Sequence, residues 1–174
     1  MNKLTLTTEL EMFFQTLPPE NNNNPDAHYA DTFSNLFFRY VSEVPGEGLA
    51  FPPASSVLSA LISDPTKDIF LENMTGVSTE ILTTQEYSFK LGRSLDLFID
   101  LLPQIFELPE NFVPTIAQFK LSSDLASFLD PVFKNTLSTS RDLASAIVDA
   151  FTLKLSSSFV TDVNTGITTN WITS

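Results

Sequence analysis

The sequence contains no cysteine, one histidine and only five glycines in 174 residues. Without cysteine, the chain has no disulfide framework, no thiolate nucleophile and no cysteine zinc site. A single histidine excludes a metal site with two histidine ligands, and no motif offers it the partners of a catalytic triad. We therefore expect His28 to be a solvated helix residue. The five glycines form no phosphate-binding loop.

Basic residues are also scarce, with 9 Lys and Arg against 21 Asp and Glu and a formal net charge of −12 at pH 7. Phosphate backbones and anionic lipid surfaces repel such a chain, so we expect no nucleic-acid partner and no membrane partner. The most apolar run, residues 95–102, contains two aspartates and is far shorter than the roughly 20 residues of a membrane helix. Glu9 and Glu11 interrupt the amino-terminal apolar residues, which argues against a secretory signal.

Apolar residues recur at helical spacing along most of the chain, and 43% of all residues are hydrophobic. The predicted helices span residues 4–17, 25–44, 52–62, 83–102, 122–136 and 140–156. Thr83 and Glu86 form a capping box at the start of the clearest helix, which Pro103 is expected to end. Pro65 is expected to close the third helix, and Pro131 to kink or split the fifth.

The chain between the fourth and fifth predicted helices contains Pro103, Pro109 and Pro114, which predict a broken connector with a turn of helix within residues 113–119. After Ser158 the pattern changes to β-prone runs at 159–163 and 167–172. The linker that ends in Gly166 predicts a hairpin with a left-handed glycine. An extended carboxy-terminal arm is the competing interpretation. An isolated hairpin is marginally stable, so it must pack on this domain or on a neighbour.

These patterns predict a mainly α fold, with helical hairpins packed as a small bundle and a short C-terminal β-hairpin or extended arm. We expect a helical domain over residues 1–158 and a β-prone arm over 159–174. LTTEL at residues 6–10 is similar to LSSDL at 121–125, and the helices that follow them align as well. The repeat units would be 4–48 and 119–158, around a middle segment 49–118. Duplication and the chance likeness of two amphipathic helices both explain this similarity.

Asp96 and Asp100 lie four residues apart on the predicted polar side of the fourth helix. They repel by a few tenths of a kcal/mol, which a bound cation or a partner's lysine would relieve. We expect this pair to lie on a plain solvated helix face. An enzyme interpretation would instead require a cation bound at these two carboxylates. The run from Asp162 to Gly166 contains only part of a calcium loop, and we interpret it as turn chemistry. No catalytic residue, metal, cofactor or small-molecule substrate is expected.

Phenylalanine is abundant, with 16 residues that include two adjacent pairs in the first two predicted helices. Adjacent residues point about 100° apart on a helix, so one narrow seam cannot bury both. Either a second layer of this chain or another subunit must cover them. The candidate partner-binding residues combine these pairs with the C-terminal segment: Phe13, Phe14, Phe37, Phe38, Phe159, Val160, Trp171 and Ile172.

The succession of a helix, a polar loop, a helix with Ala-x-x-Phe or Ala-x-x-Ile spacing and a β-prone tail resembles small virion structural proteins of tailed bacteriophages. Residues 26–44 carry this resemblance, and residues 140–165 carry it more plainly. It implies a non-enzymatic accessory component of the capsid, neck, tail or baseplate, located in the virion and bound to other virion proteins in multiple copies. The alternative is an acidic adaptor or chaperone of the bacterial cytoplasm that binds a basic protein.

Overall fold

The computed structural model of the chain describes residues 2–16, 25–43, 56–77, 80–105 and 108–170. Within these ranges, six helices surround the core and three short strands form one sheet. The elements are α1 (Lys3–Gln15), α2 (Pro25–Glu43), α3 (Ser56–Asn73), α4 (Thr84–Ile105), β1 (Phe112–Thr115), α5 (Leu121–Lys134), α6 (Ser140–Ser156), β2 (Phe159–Asp162) and β3 (Thr168–Asn170). The predicted mainly α fold with a C-terminal hairpin is confirmed.

Neighbouring helices pack antiparallel, as the contacts at their two ends show. On α1, Lys3 pairs with Asp149 of α6 at 2.7 Å, and Glu11 pairs with Arg141 at 3.0 Å, so the two helices run in opposite directions. Glu9 of α1 also forms an ion pair with α2. These pairs are partly exposed and contribute little individually. They nevertheless fix the register in which the apolar faces meet.

Four phenylalanine rings from four different helices form a closed circuit at the centre of the bundle. Phe37 of α2 lies 4.8 Å from Phe151 of α6 and 6.3 Å from Phe70 of α3, between ring centroids. Phe98 of α4 completes the circuit, 6.3 Å from Phe70 and 6.2 Å from Phe151. All four side chains are fully buried. Aromatic pairs of this kind contribute about 0.5–1.5 kcal/mol each beyond their burial, so this circuit joins the four helices into one core.

Two predicted helix starts are confirmed by their capping hydrogen bonds. The amide of Thr83 donates to Glu86 at 2.8 Å, and the amide of Glu86 donates back to the Thr83 hydroxyl at 3.1 Å. Thr139 and Asp142 form the same reciprocal box ahead of α6. Each box satisfies two amides that would otherwise lack acceptors inside the helix.

Prolines end fewer helices than the sequence predicts. The predicted stop of a helix before Pro65 is wrong, because α3 continues through Pro65 to Asn73. Likewise α4 continues past Pro103 to Ile105, and α5 contains Pro131 without being split in two. Proline removes one backbone hydrogen bond and crowds the preceding turn. Beyond Pro65, α3 buries Phe70 in the core, and this packing favours a helix that continues through the proline.

The connector after α4 contains a strand that the sequence did not predict. Residues Phe112–Thr115 form β1 and pair antiparallel with β2, so the predicted turn of helix in this region is wrong. The C-terminal hairpin therefore packs on its own chain as the outer part of a three-stranded sheet in the order β1-β2-β3. The proposed duplication of 4–48 and 119–158 stays a prediction, since parts of 4–48 lie outside the described residues.

Candidate functional site

The hairpin of β2 and β3 closes through a turn that fixes the register of the whole sheet. Gly166 has φ of 73°, as the hairpin prediction requires. Its amide donates to the Asp162 carbonyl at 2.7 Å, while the Asp162 amide donates to Ile167 at 2.9 Å. This is a bulge in which two residues of one strand oppose one residue of the other. Hydrogen-bonded and non-hydrogen-bonded residue pairs alternate along an antiparallel ladder, so Val160 and Thr169 form the next hydrogen-bonded pair after the bulge.

The edge formed by β3 directs free backbone groups away from the sheet. Because the groups of Thr169 face β2, those of Thr168 and Asn170 face outward. β3 is the last strand in the sheet order, and no described strand pairs with its outer side. A row of unpaired amide and carbonyl groups is a template for another strand.

The opposite edge, formed by β1, is blunted by proline. The amide of Val163 donates to the Asn111 carbonyl at 2.9 Å, which sets the hydrogen-bonding phase of the β1–β2 ladder. In this phase Val113 and Thr115 bond to β2, and Pro114 occupies a position whose missing N–H would face outward. The proline therefore costs the sheet no internal hydrogen bond, and it withholds a donor from any strand approaching β1.

The two faces of the sheet differ in composition. Val160 is buried against the helices, so its neighbour Phe159 lies on the other, outer face, between Thr115 and Asn170. Thr161 and Thr168 share that face. The outer face thus presents hydroxyl groups, the exposed side chain of Val113 and one half-buried aromatic ring, with no ionised side chain at its centre.

The candidate partner-binding residues fall into three groups in the structure. Phe37 and Val160 are buried within this chain and present no surface to a partner. Phe13, Phe14, Phe38 and Phe159 are half-buried and keep part of each ring accessible. Trp171 and Ile172 lie outside the described residues. Helical faces of this same chain cover much of the adjacent phenylalanine pairs, as the α1–α2 contacts show: the Phe13 ring lies 4.9 Å from that of Tyr29.

The carboxylates considered for a cation do not share a solvated face. Asp100 is exposed, whereas Asp96 is buried and pairs with Lys154 of α6 at 2.5 Å. Asp96 also accepts the amides of Leu121 at 3.0 Å and Ser122 at 3.1 Å, at the start of α5. The expectation of a plain solvated face is therefore wrong for Asp96. Its two oxygens already hold an ammonium and two amides.

The side chain of Lys154 on α6 is buried among neighbouring helices and does not reach solvent. Its side chain is 1% exposed, and its ammonium lies 5.9 Å from the centre of the Phe119 ring. Gly92, one turn before Asp96, permits the close crossing of α4 and α5, because a Cβ there would lie 2.1 Å from the Leu121 carbonyl oxygen. The hydrogen bonds and the ion pair of this cluster hold α4, α5 and α6 together, so we assign it a structural role.

The Asp162 turn needs no calcium to explain its geometry. The side-chain amide of Asn111 donates to Asp162 at 3.1 Å, and the backbone amide of Asn164 donates to it at 2.9 Å. These hydrogen bonds lower the pKa of Asp162 below its usual range, the Asn111 contact most of all. Turn chemistry thus accounts for the spacing of these residues. Among the described residues, no group of three or more His, Asp or Glu side chains is placed to hold a metal ion.

A cleft of about 250 Å³ opens where one end of α4 meets α2, α5 and α6. Inside it the hydroxyls of Tyr29 and Tyr87 lie 2.9 Å apart. Burial raises the pKa of Tyr29 to about 12, and it raises the pKa of Tyr87 well above its ordinary value. Glu80 lies at the mouth of this cleft. Nothing in the local sequence pattern links positions 29, 80 and 87, so the sequence does not predict this cleft.

A second, shallower groove of about 460 Å³ lies between α1 and α2. Met12, Phe13 and Leu36 provide its apolar lining, and His28 borders it. His28 is half-buried, with its ring 5.9 Å from that of Phe13, so it packs on an aromatic neighbour rather than standing in solvent.

Most basic side chains are engaged within the chain. Six of the nine form ion pairs, and Lys90 and Arg93 donate to the end of α3. Several exposed carboxylates on α3 and α4 form no ion pair with the described residues, including Asp68, Glu72 and Asp100. Together with the net charge of −12, this makes the surface field negative.

Comparison with models of known families, with curated proteins and with solved structures finds no match for this chain. None of the helices within the described residues has the length and apolar character needed to cross a bilayer.

Proposed function

We propose that this protein is a non-enzymatic structural component of a large assembly, in the first instance an accessory protein of a virus particle, and that it binds its neighbour by adding a strand at β3. The observation that carries the proposal is the asymmetry of the sheet. One edge is blunted by Pro114, and the other presents the free backbone of Thr168 and Asn170. Main-chain hydrogen bonds to such an edge provide affinity for an extended segment.

The proposed occupant is an extended segment of a larger neighbouring protein. Its strand would lie beside β3, with alternate side chains over the outer face around Phe159 and Thr168. That face carries hydroxyls, Val113 and one aromatic ring, which favour an uncharged partner strand. The resemblance of residues 140–165 to small virion proteins supports the same setting, because this stretch includes α6, β2 and the turn that precedes β3.

A matched pair of substitutions at Thr168 tests the proposal. Thr168→Pro removes the outward amide while leaving the bonds between β2 and β3 intact, and Thr168→Ala keeps that amide. We expect Thr168→Pro to reduce incorporation into particles about tenfold or more, and Thr168→Ala to leave it near the wild-type level, with both variants unfolding at the wild-type temperature. Equal incorporation of the two variants would exclude strand addition at this edge.

A second candidate function is an acidic cytoplasmic adaptor, which the negative surface favours. Binding through carboxylates weakens steeply above about 0.15 M salt, where the Debye length is roughly 8 Å. Binding through a strand edge changes little over the same range. Sedimentation of native material separates the two settings directly: an adaptor is recovered near its own 19.3 kDa, whereas a particle component sediments with the particle.

A further inference from the structure

We propose that the cleft formed by Tyr29, Tyr87 and Glu80 is a binding site for the side chain of a lysine or arginine from a partner protein. This site is separate from strand addition at β3. The cleft lies near the start of α6 and the sheet follows its end, so the 17-residue helix, about 25 Å long, separates them. Failure of one proposal therefore leaves the other standing.

The size of the cleft suits a single side chain. A cavity of about 150 Å³ accommodates benzene, and pockets for drug-sized ligands begin near 300 Å³. At about 250 Å³ this cleft lies between those limits. Its open mouth admits a chain end or side chain from outside rather than enclosing a free ligand.

The lining combines aromatic rings with hydroxyl oxygens. Tyr87 and Phe133 meet edge to face, with ring centroids 6.1 Å apart, and the Tyr29 ring lies on the other side. Aromatic rings attract cations through the negative charge of their faces. The phenol oxygens and the nearby hydroxyls of Thr83 and Thr84 accept hydrogen bonds from an ammonium or guanidinium.

Glu80 is the one ionised side chain among the described residues that line the cleft. It is exposed, and its carboxylate forms no ion pair or hydrogen bond with the described residues. Gly76, with φ of 84°, allows the turn that brings this carboxylate back against the bundle, and the Glu80 amide donates to the Gly76 carbonyl at 2.8 Å. A carboxylate held at an aromatic cleft is complementary to a basic side chain.

Helix ends near the cleft do not reverse this preference. α2, α4 and α6 begin at this end of the bundle, and each start carries roughly half a positive charge. Each of these helices also has a carboxylate in its first turn, namely Asp26, Glu86 and Asp142. These carboxylates offset the partial positive charges of the three helix starts, so the helix ends do not by themselves turn the cleft into an anion site.

The test is an NMR titration of the full chain with three blocked amino acids: N-acetyl-lysine methylamide, N-acetyl-arginine methylamide and the uncharged N-acetyl-norleucine methylamide. We expect saturable shifts at Tyr29, Tyr87 and Glu80 with one or both basic probes, at a dissociation constant on the order of 10 mM for one side chain. The norleucine probe should shift these signals at least fivefold more weakly.

A pair of matched variants separates a specific site from general attraction. Glu80→Gln removes the carboxylate at the cleft, and Asp100→Asn removes the same charge about 20 Å away along α4. We expect Glu80→Gln to weaken the basic probes about three- to tenfold, and Asp100→Asn to leave them unchanged. Absence of saturable shifts, equal binding of norleucine, or equal weakening in both variants would each overturn the proposal.

Discussion

At the scale of single residues, the most consequential side chain is Asp96. It lies on α4, yet it holds the first amides of α5 and the ammonium of Lys154 on α6. A buried ion pair is expensive to desolvate, and its geometry must repay that cost. Here both oxygens are occupied by donors from two other helices, so the pair specifies how three helices meet.

Breaking this pair is expected to be strongly destabilising. Lys154→Met leaves Asp96 buried without its cation and should lower the free energy of unfolding by about 3–5 kcal/mol. Asp96→Asn should also destabilise, because it leaves the ammonium without a counter-charge. Urea unfolding followed by circular dichroism measures both losses.

The control for this pair is Asp100→Asn, which changes an exposed carboxylate on the same helix. Its effect should stay within about 0.5 kcal/mol. Similar losses for Asp100→Asn and Lys154→Met would show that the buried pair contributes nothing special to stability.

The three tyrosines predict a loss of stability in alkali. Burial raises the pKa of Tyr29 and Tyr40 to about 12 and that of Tyr87 well above its ordinary value of 10.0. Between pH 10 and 12 the unfolded chain therefore binds fewer protons than the folded chain, so the free energy of unfolding falls as pH rises through this window. Below pH 10 this contribution is fully present.

Phenolate absorbance gives the direct measurement. The folded protein should show almost no tyrosinate near pH 10, and its phenolate signal should rise together with unfolding. A normal tyrosine titration by a chain that is still folded would contradict the described burial of the rings.

At the scale of helices and strands, the effect of a proline on stability depends on whether it lies in a helix or in a loop. Pro131 is exposed near the end of α5, and Pro109 is exposed in the connector before β1. The same residue type costs a helix one hydrogen bond, but stiffens a loop by restricting the unfolded chain.

Replacing these two prolines by alanine should have opposite effects. Pro131→Ala restores a helical amide and should raise the free energy of unfolding by about 1–3 kcal/mol. Pro109→Ala frees the unfolded chain and should lower it by about 0.4–1 kcal/mol. Thermal unfolding of both variants checks the signs, and a change of the same sign in both would contradict this account.

The elements best predicted from the sequence are those fixed by neighbouring residues. The capping box at Thr83 and the left-handed Gly166 depend on contacts within a few positions, and the structure has both. β1 was missed because its strand exists only through pairing with β2, some 47 positions later. The prediction of a solvated face for Asp96 was wrong for a similar reason, since its partner Lys154 is distant in sequence.

At the scale of the whole molecule, the circuit of four phenylalanines makes the bundle one cooperative unit. Phe151 contacts the rings of Phe37, Tyr40 and Phe98, which come from two other helices. The α6 helix that carries Phe151 also packs along α1. Local patterns predicted that these helices are apolar on one side, but not which rings meet.

Removing one ring from the circuit should weaken the whole fold. Phe151→Ala should lower the free energy of unfolding by about 3–5 kcal/mol, because it leaves a cavity among four helices. Phe89→Ala changes a ring that is 52% exposed and should cost much less. Chemical denaturation followed by two probes, fluorescence and circular dichroism, measures both effects; equal losses would place the core elsewhere.

The proline in β1 has a consequence for self-association. Because Pro114 withholds its donor at β1, β3 is the edge within the described residues that offers both amides and carbonyls to another strand. Two copies that join through β3 use up both of these edges, and the joined pair then presents the proline-blunted β1 edges. We therefore expect sheet growth through β3 to stop at the dimer rather than to continue into fibres.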